Sequence, residues 1–404
     1  METLQNKSLT VTGKYRSKEW DSTFQLLAWW KADVVRNASV MVVGAGALGN
    51  EVLKNLALMN VGNILIVDFD HIEYSNLSRS VLFREKDCDG HRMKVDIAAE
   101  RVREMNPNVR VLAVNGNITS DVGLGIFRRV DVVIGCLDNR LARLFLNRAC
   151  YKVGKIWIDG AIENLIGQVN VYKPDVSCYE CGLTEVERND IRIQASLPCG
   201  VVNSHNITYG RIPTTPISSS IVAAIQVQEA LKVIHGYDKK LMSRESFYYE
   251  GMNNLVLQLK NEPLQDECFS HYAYEPLLES PLGAGRTVGE VLQWLAAELG
   301  DPDVAILLDH ELVLQVVTRQ SNLSFDVVQP RSRMTEDFLN GFRRMEEEEV
   351  YSSRTISEID ASFPYPDLTL GDIGIPPLHI VRVASRGELY HVELTADNHI
   401  FQFS

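Results

Sequence analysis

Short apolar runs recur along the first part of the chain: SVMVVG, NILIVD, VRVLAVN, VDVVIGC and KIWIDGA. Runs of about four to eight residues, rich in Val, Ile and Leu, suit strands buried on both faces. Between them stand NEVLKNLALMNVG, HRMKVDIAAERVREMN and RLARLFLNRACYKVG, whose apolar residues fall at helical spacing. Strand and helix in alternation predict a parallel sheet with crossover helices, and ligands of such sheets bind beyond the carboxyl ends of the strands. Here those ends are Gly44 to Gly49, Asp68 to Arg79, Asp138 with Asn139, and Asp159. They are expected to converge on one crevice.

Further along, about 182–215 is polar, with Gly and Pro and no clear period, and is expected to cross over the sheet. ISSSIVAAIQVQEALKVIHG reads as a helix ending at Gly236, and FYYEG with NLVLQLK as a late hairpin. After His271 the sequence YEPLLESPLGAGRT suggests a linker. TVGEVLQWLAAELG, DVAILLD, HELVLQVVT, TLGDIGI, LHIVRVAS and LYHVELTAD then form a separate small α+β domain, interrupted by a polar stretch with an acidic run at Glu346 to Glu349. The expected organisation is an amino-terminal helical or arm segment over 1–37, an α/β domain over 38–271, a linker over 272–285 and the small domain over 286–404. No tandem repeat is evident.

A chain of 404 residues with 45% hydrophobic residues has room for two or three domains with real cores. The net charge of −13 argues against nucleic acid and suits a partner protein with a basic face. METLQNKSLT has no apolar signal region, and no apolar run approaches the roughly 20 residues that span a bilayer. A cytoplasmic address away from the membrane is expected. Seven cysteines, an odd number without an export signal, argue against disulfides, and Cys136 and Cys150 suit inert buried thiols.

The chemistry begins at ASVMVVGAGALG, where a strand runs into G-x-G-x-x-G with Gly44, Gly46 and Gly49. Such glycines let backbone N–H groups approach phosphate, and the following helix aims its positive end there. Asp68 stands roughly 20 residues on, where an acid bonds a ribose hydroxyl. To this point a nicotinamide enzyme fits. VDFDHIEYSNLSRS then places Asp70, Asn76 and Arg79 just past the strand end, and hydride transfer has no use for that arginine. Downstream, Cys178-Tyr-Glu-Cys181 and Cys268-Phe-Ser-His271 suit a closed Cys3His zinc site tying the end of the α/β domain to its middle. The alternatives are ordinary linker residues and a redox CxxC pair.

In order along the chain, GAGALGNEVLKNLAL, VDFDHIEYSNLSRS, KVDIAAERVREMNP, LDNRLAR, the CxxC and QVQEALKVIHG resemble the adenylation site of the ThiF/MoeB and ubiquitin-activating enzyme superfamily, over Ser39 to Lys260. The resemblance implies a Rossmann-like adenylation domain, a mostly parallel sheet with helices on both faces, that binds ATP and magnesium. Arg79 and Lys94 would then supply cations to the triphosphate and Asp138 would hold magnesium. Asp68 and Asp70 would hold ribose, Asn76 would contact phosphate or sugar, and Asn139 would line the nucleotide site. The family also uses an amino-terminal arginine, often reaching across a dimer, for which Arg16 is the candidate. The Arg79 to Lys94 spacing is two residues longer than the family's, so Arg92 is an alternative to Lys94. Taken singly, Arg79 also reads as a surface ion pair, Lys94 as a solvated helix residue and Asp138 as a helix N-cap. The family usually offers four zinc cysteines, so His271 is a departure.

Cys199, in SLPCGVVNSH, resembles the proline-flanked nucleophile of ubiquitin-activating enzymes; a packed or dispensable thiol is the alternative, and His205 reads as an assisting base or as a solvated loop residue. The last domain resembles the ubiquitin-fold domain that recruits a conjugating enzyme, although the insertion from Thr318 to Phe363 is unlike the family form. An unrelated dimerisation domain is the alternative. The implied function is adenylation of the carboxyl-terminal glycine of a ubiquitin-like protein, thioester formation on Cys199 and transfer to a conjugating-enzyme cysteine, in a homodimer. A sulfur-carrier adenylyltransferase without a thioester step, a non-catalytic scaffold subunit and, last, a nicotinamide oxidoreductase are the alternatives. The Trp29-Trp30 pair hints at covered apolar surface near the amino terminus.

Overall fold

The computed structural model describes residues 20–196, 213–344 and 348–403. The apolar runs become β1 (Ser39–Val43), β2 (Asn63–Asp68), β3 (Arg110–Asn115), β4 (Val132–Gly135) and β5 (Trp157–Glu163), all parallel, in the order β3-β2-β1-β4-β5. Alternate residues of β1 serve opposite cores: Val40 and Val42 on one face, Met41 and Val43 on the other. The first face is covered by α2 (Ala47–Leu58), α3 (Lys94–Met105) and a long helix at Pro216–Ile234, after a short α1 (Ala32–Asn37). The second is covered by α4 (Leu124–Arg128) and α5 (Arg140–Lys152). The doubly wound α/β architecture expected from the alternation is therefore present.

The sheet does not stop at β5. It turns at Asn164, whose φ is +54°, into β6 (Ile166–Tyr172), β7 (Glu245–Glu250) and β8 (Leu255–Lys260), each antiparallel to its neighbour. The apolar pattern does not mark IGQVNVY as a strand, because Gly167 and polar Gln168 and Asn170 interrupt it. The crossover region opens with α6 (Glu185–Ser196), and the long helix that follows it in the described chain is α7 (Pro216–Ile234). By length and composition α7 could cross a membrane. Here it is a core helix: it buries Gln226 and Glu229, and Gln226 Nε2 donates to the carbonyl oxygens of Gly135 (2.8 Å) and Ile158 (3.2 Å).

From Leu277 on, a second sheet contains β9 (Leu277–Ser280), β10 (Ala305–Thr318), β11 (Ser324–Pro330), β13 (Ile380–Ser385) and β14 (Glu388–Leu394) in the order β11-β10-β13-β14-β9, with β9 parallel to β14 and β13 antiparallel to β10. DVAILLD and HELVLQVVT, separate strands by their pattern, form the single long β10, whose pairing shifts register between Leu307 and Leu312. α8 (Val288–Leu299) starts with a Thr287/Glu290 capping box, ends at left-handed Gly300, and packs Val288, Val291 and Leu295 on the sheet. TLGDIGI is a turn rather than a strand, although Leu370, Ile373 and Ile375 belong to this core. The insertion contributes β11 (Ser324–Pro330), α9 (Glu336–Asn340) and β12 (Val350–Ile359), the two strands flanking the far half of β10 over a small core of Val313, Val316, Val327 and Met334.

The small domain is seated on α4 and α5. Gly125 N donates to Leu378 O (2.8 Å), and a Cβ at Gly123 or Gly125 would collide with the backbone of Pro377 to His379. Buried Glu393 takes both Arg128 and Arg129, Tyr274 stacks on His391 at 4.0 Å between ring centroids, and Phe401 and Phe403 pack against the core under α4 and α5.

Candidate active site

The strand order reverses between β1 and β4, which is where open α/β sheets bind ligands. The turn after β1 forms one wall. Gly44 has a φ of +97°, and a Cβ on it would collide with the Cys136 carbonyl; a Cβ on Gly49 would collide with the Gly44 carbonyl. Only glycine keeps both approaches open. α2 begins immediately after Gly46, so its free N–H groups and positive dipole end face the crevice.

Asp68, at the end of β2, accepts from Ala45 N (2.6 Å) and Asp70 N (2.8 Å). Burial raises its carboxyl above the ordinary aspartate value, against the pull of Lys94 and of those two N–H groups. It braces the glycine turn. Asn50, fully buried, completes the brace: its amide donates to the carbonyls of Ala45 (2.7 Å) and Gly46 (3.0 Å), and its oxygen accepts from Leu82 N (2.9 Å). That ties the turn to the segment carrying Arg79. Sequence reasoning missed Asn50; the available signal was a polar residue on an otherwise apolar helix face.

Lys94 opens α3, and its Nζ lies 2.7 Å from Asp70 Oδ2. Arg92 instead engages Asp87 (3.5 Å) and Glu100 (3.0 Å), so of the two candidate cations for this place it is Lys94 that meets Asp70. Arg79 donates to Ser75 O (2.7 Å) and has no carboxylate partner among the described residues. Asn76 is buried, its oxygen accepting from Glu73 N (3.0 Å). On the other side of β1, the N-cap of α5 is Asn139, whose oxygen accepts from Ala142 N (2.7 Å). The capping role open to Asp138 thus belongs to its neighbour. Among the described residues the Asp138 carboxylate has no hydrogen-bond or ion-pair partner. A free carboxylate beside a phosphate cradle fits magnesium, which is held by one or two carboxylates plus phosphate oxygens. Arg16, Cys199 and His205 lie outside the described residues.

Away from the crevice, the ligand atoms of Cys178, Cys181, Cys268 and His271 all lie within 4.8 Å of one another. Cys178 Sγ is 3.7 Å from Cys181 Sγ and 3.6 Å from Cys268 Sγ, and Cys181 Sγ is 3.5 Å from His271 Nε2. A tetrahedron with Zn–S near 2.3 Å has edges of about 3.8 Å, whereas a disulfide needs about 2.05 Å. The four residues therefore fit zinc. Outer contacts orient them: His271 stacks on Tyr151 (4.7 Å), Gln265 donates to Cys181 O (2.7 Å), and buried Glu180 takes Arg148 through both oxygens (2.7 and 3.0 Å) and Ser270 (2.5 Å).

The ThiF family model matches residues 24–269. The chain belongs to the ThiF family. Among ThiF-family relatives, it is 33% identical over 202 residues to SUMO-activating enzyme subunit 2 of Dictyostelium discoideum, covering 48% of this chain and 30% of that protein. It is 33% identical over 222 residues to the sulfur carrier protein adenylyltransferase of Thermus thermophilus, covering 53% and 75%. Ubiquitin-like modifier-activating enzyme 5 of Xenopus laevis is 29% identical over 255 residues, with 59% and 60% covered. The chain thus spans less than a third of the first of these proteins, three quarters of the second and three fifths of the third. A crystal structure of E. coli MccB with ATP aligns with a TM-score of 0.52 and 22% identity over 64% of this chain and 75% of that one, a likeness of fold.

Proposed function

We propose that this chain uses ATP to activate the carboxyl-terminal glycine of a ubiquitin-like protein, forms a thioester on Cys199 and passes the acyl group to a conjugating-enzyme cysteine, acting as a homodimer in the cytoplasm. The observation that carries the reading is the set of charges at the ends of the strands on either side of β1: Lys94 on Asp70 after β2, Arg79 with no acid partner among the described residues, and Asp138 equally free after β4. Acyl adenylation asks a protein mainly to position and neutralise a polyphosphate. A substrate carboxylate oxygen attacks the α-phosphorus, the bond to pyrophosphate breaks, and acyl-AMP remains. Lys94 and Arg79 would stabilise negative charge, and Asp138 would hold magnesium, which when bound neutralises phosphate oxygens. The Cys199 thiolate, its proton lost to solvent or a base, then attacks the acyl carbon and AMP leaves.

A protein substrate is supported by the surface beside the crevice. Ile166, at the crevice end of β6, pairs with Glu250 and through it with Leu255 of the edge strand β8, where Leu255, Leu257 and Leu259 share that face and are all exposed. An exposed sheet face that starts at the crevice end of β6 and ends on these leucines suits the body of a folded carrier whose tail enters the site. The acidic chain favours a carrier with a basic face. Recruitment of the conjugating enzyme is assigned to the small carboxyl-terminal domain by its sequence resemblance. The relatedness to a sulfur carrier protein adenylyltransferase favours a second reading, in which the cycle ends at acyl-AMP.

The test is ATP–pyrophosphate exchange with ubiquitin-like and sulfur-carrier proteins of the same genome, beside non-reducing gels of wild type and Cys199→Ala. Exchange in both with a reducible adduct only in wild type supports the full cycle. Exchange without any adduct supports the second reading, and no exchange with any carrier supports a scaffold subunit.

A further inference from the structure

The loop from β4 to α5 contains only Cys136, Leu137, Asp138 and Asn139, and the free Asp138 carboxylate makes no bond among the described residues that would hold it in place. One turn into α5, Arg143 folds back beneath this loop. Its guanidinium donates to Leu137 O (2.6 Å) and Gly160 O (3.2 Å), and its Nε lies 3.2 Å from Asp159 Oδ1. Three segments meet on one side chain: the residue before Asp138, the strand β5, and the helix that Asn139 caps.

We propose that Arg143 is the positioning residue that sets Asp138 in the crevice, acting through the Leu137 carbonyl. The proposal rests on the adenylation reading, since it gives Asp138 its task.

The geometry calls for arginine in particular. Asp159 is 3% exposed and its carboxylate has Arg143 as its side-chain partner, so the guanidinium is locked before it reaches the loop. Burial would depress Arg143, yet the Asp159 carboxylate beside it holds its pKa above the ordinary arginine value, and the fork stays charged at every working pH. From the opposite face of the sheet Gln226 fixes the carbonyls of Gly135 and Ile158, where β4 and β5 part. Gln226 stops at the strand ends. Arg143 reaches past them onto the loop that carries the free carboxylate. A lysine keeps the charge against Asp159, but a point ammonium lacks the guanidinium fork that reaches Asp159, Leu137 O and Gly160 O together.

The test is calorimetric binding of the ATP analogue AMPCPP to the full chain over a magnesium titration, with melting temperature recorded for each variant. In Arg143→Lys the magnesium concentration for half-maximal binding is expected to rise about tenfold, the scale on which outer contacts tune a metal site. Binding of AMPCPP in EDTA is expected to be unchanged. In an Asp138→Asn background Arg143→Lys should add no further shift, because the two act on one step. If Arg143→Lys does not fold, Asp159→Asn, which leaves the guanidinium its bonds to Leu137 and Gly160, should raise the magnesium requirement by about threefold. A lowered melting temperature with an unchanged magnesium titration overturns the positioning role and leaves the adenylation reading intact. Equal shifts with and without Asp138 also overturn it. A wild type that binds no magnesium nucleotide overturns both.

Discussion

The crevice and the seat of the small domain use charge in opposite ways. At the crevice Asp138 and Arg79 have no ion-pair partner among the described residues, and Lys94 is shared with a half-exposed Asp70. At the seat, charges are closed on one another: Glu393 is fully buried between Arg128 and Arg129, and Asp309 lies 3.1 Å from His379 and 3.2 Å from Arg382. The Cys3His cluster belongs with the closed group, since its four ligand atoms lie within 4.8 Å of one another and the groups around it are already partnered, His271 on Tyr151 and Glu180 on Arg148 and Ser270. Unpaired charges cost stability and are retained where a ligand will pair them; closed groups hold structure and leave nothing for a substrate. The comparison predicts which substitutions change chemistry and which change only folding.

The largest effect is expected at the cluster. Cys178→Ser should reduce bound zinc from about one per chain to near none and lower the melting temperature by about 10 °C or more, given how strongly structural zinc couples to folding. Metal analysis alongside calorimetry checks both. Glu393→Ala should cost about 3 kcal/mol, the low end for breaking a buried pair, because both arginines regain water on its loss. Denaturant unfolding measures this, and pyrophosphate exchange by the folded fraction should be unchanged. Asp138→Asn should do the reverse, with exchange down about 100-fold, or about 2.7 kcal/mol of barrier, and melting temperature unchanged.

The smallest effect is a pH dependence of the seat. His391 is buried against Tyr274, with Tyr272 at 3.3 Å, and burial together with Arg382 and Lys152 lowers its pKa. The unfolded chain therefore takes up this proton at higher pH than the folded one, so stability falls as pH drops through about 6.5. The melting temperature should decline from pH 7 to 5.5 in wild type and decline less in His391→Phe.

How much of the molecule is legible in its sequence follows from where the determining forces lie. The parallel half of the sheet is readable because β1, β2 and β4, buried on both faces, are runs of apolar residues, and the carboxyl ends of the strands line up as one crevice from the chain alone. β6 is not, since Gly167 sits under Val222 of α7 and leaves no apolar signature of its own. The cluster is readable from the spacing of its ligands. The jobs of Asn50 and Arg143 are not, because each depends on backbone groups brought near by the fold, Leu82 N for Asn50 and Gly160 O for Arg143. Even Lys94 and Arg92 are told apart only by Asp70, Asp87 and Glu100, which the fold places around them. The number of charges in the chain says nothing about which of them are left open.

The most direct test of that division is pyrophosphate exchange, corrected for folded fraction, in Asp138→Asn and Glu393→Ala beside wild type with a carrier that wild type accepts. The account predicts that Asp138→Asn keeps its melting temperature and loses exchange, while Glu393→Ala loses stability and keeps exchange. Full exchange by Asp138→Asn, or no exchange by wild type with any ubiquitin-like or sulfur-carrier protein, would contradict it.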